Sequence, residues 1–137
     1  MILRCRSNRT VQIGRWGELD LQRGYYVYVG SALGAGGLMV RVSRHCRGSR
    51  AKHWHIDYLR EQASPSSVWF RYSALRLEHG WAAALMKMPG MITVKGFGCT
   101  DCDCEAHLFF SARPPSVEVF EDCVDGRVDS LRCNAFG

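Results

Sequence analysis

The chain has 137 residues, of which 47% are hydrophobic and 23% charged, with a formal net charge of +5 and seven cysteines. That length and balance predict one domain, residues 1–137, with enough apolar mass for a core, and they exclude a disordered chain. No apolar run approaches the roughly 20 residues of a membrane span; Arg4 and Arg6 follow Met1 with no secretory leader behind them, and an odd cysteine count then argues against a complete disulfide framework, so a cytoplasmic protein with no membrane contact is expected.

Met1 to Cys5 predicts a short strand, Ser7-Asn8-Arg9 a polar turn and Val11-Gln12-Ile13 a second short strand. Gly14 and Gly17 mark a loop. Tyr25-Tyr26-Val27-Tyr28-Val29, aromatic and β-branched between Gly24 and Gly30, predicts a strand. Alternation puts Tyr26 and Tyr28 on one face, with Tyr25, Val27 and Val29 on the other. Ser31 to Gly37 holds three glycines and reads as a loop. A helix is expected from Leu38, with Leu38 and Val42, and Arg41 and His45, at i, i+4 spacing, stopping by Gly48. His53 to Gln62 predicts a second short helix, ended before Pro65. Ser67 to Tyr72 reads as a strand, Leu75 to Met88 as a helix halted by Pro89-Gly90, and Met91 to Val94 as a strand leading into the Gly96-Phe97-Gly98 loop. Leu108 to Phe110 and Val117 to Phe120 are read as final strands. The order predicts an α/β (α+β) fold, a small mixed sheet with helices packed on it.

Arg41, Arg44, Arg47, Arg50, Lys52 and Arg60, with His45, His53 and His55 among them, are balanced by a single acid, Asp57. Such a block suits a phosphate-binding surface; a solvated helical face in a basic protein accounts for the same charges. Residues 101–129 are net acidic, which places any nucleic-acid face toward the first half. Tyr28 ends its strand at a glycine loop, and Arg41 and His45 lie one turn apart on the next helix. A phenol, a guanidinium and an imidazole around bare backbone suit a phosphodiester. Glycine lets the phosphate approach, arginine neutralises oxygens that gain charge, and tyrosine or histidine passes protons.

Gly24 to Ala32, Gly36-Gly37-Leu38, Arg41, Arg44-His45, His53 to Leu59, Glu78, Gly96 to Gly98 and Asp101 to Leu108 together resemble the GIY-YIG nuclease superfamily, and within it the Uri-type, DUF123-like branch. The resemblance covers nearly the whole chain, with Tyr28-Val29-Gly30 in place of the second motif. It implies a small, mainly antiparallel sheet flanked by helices. It also implies hydrolysis of DNA phosphodiester bonds with one divalent metal, Mg²⁺ or Mn²⁺. Under it Arg41 stabilises the transition state, His45 assists, and Glu78 holds the metal. Tyr26, Ser31, Arg44, Arg47, Arg50, Lys52, His53 and His55 become nucleic-acid contacts. Two positions depart from the pattern. The first tyrosine motif falls near Met1-Ile2-Leu3, where no tyrosine stands, and Thr100-Asp101 occupies the place of a late asparagine.

Each of these residues also has a plainer role. Tyr28 and Tyr26 suit strand packing, Arg41 a surface ion pair and Glu78 a solvated helical acid. Trp54 and Tyr58 suit the core, while Trp81, Ala82 and Leu85 would be core beneath a rim-placed Glu78. Cys99, Cys102, Cys104 and His107 are zinc-ligand types, but four ligands within nine residues make a cramped tetrahedron, so buried thiols with a structural histidine are the default. Cys5, Cys46, Cys123 and Cys133 are read as packing or incidental. Two further functions remain open: a noncatalytic nucleic-acid-binding module on the same scaffold, and a zinc- or thiol-based regulatory protein.

Overall fold

The computed structural model describes residues 1–14, 17–30, 55–71, 78–94, 107–124 and 126–133, without the side chains of His55, Asp57, Glu78 and His79. The predicted helix from Leu38 and the loops at 31–37 and 96–98 lie outside the described residues. Eight strands and three helices are described: β1 (Ile2–Cys5), β2 (Arg9–Ile13), β3 (Gly17–Leu21), β4 (Gly24–Tyr28), α1 (His55–Leu59), β5 (Ser64–Phe70), α2 (Glu78–Lys87), β6 (Ile92–Val94), β7 (Leu108–Ser111), α3 (Val117–Val124) and β8 (Asp129–Arg132). Among the described residues no helix is long and apolar enough to cross a membrane.

Six strands form one sheet in the order β6-β7-β4-β1-β5-β8, and β2 and β3 form a separate hairpin. Every described pair is antiparallel. The fold is therefore mixed α and β, as the order of elements predicted, around a mainly antiparallel sheet, as the resemblance implied. The sheet has two buried faces. Leu3, Tyr26, Val68, Phe70, Leu108 and Phe110 point into a cluster closed by Val11, Ile13 and Leu21 of the hairpin and by Ile56 and Leu59 of α1. Ile2, Val27, Val29 and Phe109 point the other way, against Ala82, Ala84, Leu85 and Met88 of the α2 side and Phe120 of α3. Three layers result, and a strand covered on both sides reads as an unbroken apolar run, as Leu108-Phe109-Phe110 does. Burying one such side chain contributes roughly 1.5–3 kcal/mol.

Three expectations are corrected. Val117–Phe120 is helical, not a strand. Val117, Phe120 and Val124 all reach the second cluster, a helical spacing, and the Ser116 hydroxyl accepts the Val119 N–H at 3.3 Å as an N-cap. Gly17, read as marking a loop, instead opens β3, whose Leu19 and Leu21 alternate inward. β5 starts at Ser64 and carries Pro65 within it. The β1–β5 register shifts there, and β8 pairs only with Ser67 to Phe70, so no ladder needs the missing proline N–H on that side. β8 itself was not predicted.

Candidate functional site

Tyr28 closes β4 opposite Leu108 of β7. On its other side its N–H donates to the Met1 carbonyl at 2.8 Å, and the Met1 amino group donates to the Tyr28 carbonyl at 2.7 Å. The strand expected to hold the first motif thus does lie beside β4, with Leu3 opposite Tyr26. The Tyr28 ring is half-buried against the hairpin-side cluster. Its Cε1 lies 3.4 Å from where a Cβ on Gly30 would stand, so the ring edge rests on bare glycine backbone that is itself exposed.

Tyr26 shares that face but not that exposure. It is 2% exposed, with its ring 5.1 Å from Phe110. Its phenol oxygen accepts the Gln22 N–H at 2.9 Å. Burial pushes this phenol above its ordinary value of 10.0; the Gln22 bond pulls the other way and nearby Cys5 adds to the rise. Tyr26 is therefore a neutral core group, so of its two readings packing is the one its position supports. Tyr58 is likewise packed against the same cluster, as its plainer role had it.

His107 precedes β7 and is 4% exposed. Its carbonyl accepts the Val29 N–H at 2.9 Å, and its Nδ1 lies 3.2 Å from the Val29 carbonyl. A carbonyl can only accept, so Nδ1 carries the hydrogen. This link spans 78 positions, and nothing in the local sequence signals it.

Glu78 opens α2, the helix that packs through Ala82, Ala84 and Leu85 on the sheet face opposite the Tyr28 ring. Trp81 packs against that same cluster, as expected. His55 opens α1. Ser31, Arg41, Arg44, His45, Arg47, Arg50, Lys52, His53, Trp54, Cys46, Cys99, Cys102 and Cys104 lie outside the described residues. Cys5 and Cys133 are buried and Cys123 is exposed. Among the described residues no three metal-ligating side chains gather. The structure thus joins Tyr28, Gly30, Val29 and His107 at one end of β4.

No curated protein and no solved structure matches the chain. The family described as "Domain of unknown function DUF123" matches residues 1–128, nearly the full length, and the protein belongs to that family.

Proposed function

We propose that the protein is a metal-dependent, endonuclease-like enzyme of the cytoplasm that hydrolyses DNA phosphodiester bonds. The observation that supports this best is the setting of Tyr28: a half-buried phenol at a strand end, beside an exposed glycine, whose bare backbone suits the approach of a phosphate. In this reading Tyr28 orients or deprotonates the attacking water. Arg41 offsets charge on the phosphoryl oxygens, and His45 assists as a proton carrier. Ser31, Arg44, Arg47, Arg50, Lys52, His53 and His55 hold the nucleic-acid backbone. Glu78 is assigned to Mg²⁺ or Mn²⁺, a hard ion that favours carboxylate oxygen and supplies charge neutralisation when bound.

The test is nicking of supercoiled plasmid with Mg²⁺ or Mn²⁺. Activity that disappears in Arg41→Ala and in Glu78→Ala is the expected result. DNA binding that weakens steeply with salt but leaves the plasmid intact under both metals would overturn the hydrolase. One observation favours that second outcome, a noncatalytic nucleic-acid-binding module: α2 packs on the face away from the Tyr28 ring.

A further inference from the structure

We infer that His107 is a positioning residue that clamps Val29 and so sets where the Tyr28 phenol and the Gly30 backbone stand. The inference rests on the reading of Tyr28 as a site residue. The β4–β7 ladder runs from Tyr25 opposite Ser111 to Tyr28 opposite Leu108. His107 carries the pairing one residue further, and then adds a bond from its own ring, so a single residue holds both the N–H and the carbonyl of Val29. The Val29 side chain is buried in the opposite cluster, with Ala82 and Phe109. Its side chain is thus fixed on one face and its main chain by His107. Tyr28 and Gly30 flank it, and the Tyr28 ring lies 3.4 Å from where a Cβ on Gly30 would stand. Without the ring bond the peptide plane after Val29 is free to rotate, and that rotation moves Gly30 relative to the phenol. Misplacing a reacting group by about an ångström lowers rates by up to two orders of magnitude.

Three variants separate positioning from mere packing. His107→Phe keeps the ring volume and removes the donor. His107→Asn keeps an amide N–H at the place of Nδ1. His107→Gln keeps polarity but moves the amide out to the place of Nε2. The readouts are the Gly30 amide and Tyr28 ring resonances, recorded well below the melting temperature of each variant. Phe and Gln are expected to shift both resonances, and Asn to return them to their wild-type places. Where the wild type nicks plasmid, Phe and Gln lower kcat by roughly 10- to 100-fold at unchanged KM, and Asn restores it. Wild-type resonances in Phe or Gln, or an equal shift in Asn, overturn the clamp while leaving the nuclease reading intact. A wild type that never nicks DNA removes the nuclease reading, and the resonances still decide the clamp. Should the Phe variant fail to fold, the contrast between Asn and Gln carries the test.

Discussion

Gly24 shows how little latitude the start of β4 allows. Its φ is +150°, and a Cβ there would stand 2.7 Å from Cε2 of Phe110 and 2.8 Å from the Ser111 carbonyl. The ring can turn only into the hairpin-side cluster, and the carbonyl belongs to the β7 strand paired with β4. Gly24→Ala is expected to lower stability by about 1–3 kcal/mol, read as a lower urea midpoint at unchanged slope. A native midpoint would show that the two strands separate more easily than their packing implies. Tyr26 makes a pH prediction. Its phenol is raised above 10.0 by burial, so the folded state prefers the neutral form. That contribution is complete below pH 10.0, the unfolded value, and is lost as pH rises through the higher folded value. Denaturation midpoints should therefore fall more steeply above pH 10.0 in the wild type than in Tyr26→Phe. Parallel curves for the two proteins would remove Tyr26 as the cause.

α3 owes its start to Ser116. The hydroxyl accepts the Val119 N–H and donates to the Glu118 carboxylate at 3.1 Å, while Glu118 also meets the positive end of the helix. Ser116→Ala should cost about 1 kcal/mol. The loss should appear in global unfolding, because Phe120 stacks edge-on to Trp81, ring centroids 5.0 Å apart, and ties α3 to α2. An unchanged midpoint would mean that water caps the helix equally well. This helix was misread because Val117, Val119 and Phe120 are strand formers, and intrinsic preference outweighed the i, i+3, i+7 spacing of Val117, Phe120 and Val124. β4 was legible because pattern, composition and flanking glycines agreed. β3 was missed because its inward residues are just two leucines, Leu19 and Leu21, alternating with the acids Glu18 and Asp20, and they become a strand only by pairing with β2. The site divided the same way. Tyr28 and Gly30 stand two positions apart in sequence and could be read there. The His107 contact exists only after β7 folds beside β4, so no window of sequence contains it.

The sheet separates the molecule into two sides, and the proposed chemistry depends on communication between them. The Tyr28 ring packs with the hairpin and α1, whereas α2, which begins at Glu78, packs with α3 on the reverse face. In the proposed hydrolysis, Glu78 and Tyr28 must meet one phosphate across those two sides. Mn²⁺ offers a direct measurement, because a paramagnetic ion broadens the resonances of nuclei near it. If Glu78 serves the same site as Tyr28, titrating Mn²⁺ into the protein should broaden the Tyr28 ring and the Gly30 amide together with the first described turn of α2. All of that broadening should vanish in Glu78→Ala. Broadening confined to α2, with Tyr28 untouched, would place the ion on the wrong side of the sheet. The phenol and the carboxylate would then belong to separate surfaces, no common phosphate could meet both, and nucleic-acid binding without cleavage would be what the scaffold supports.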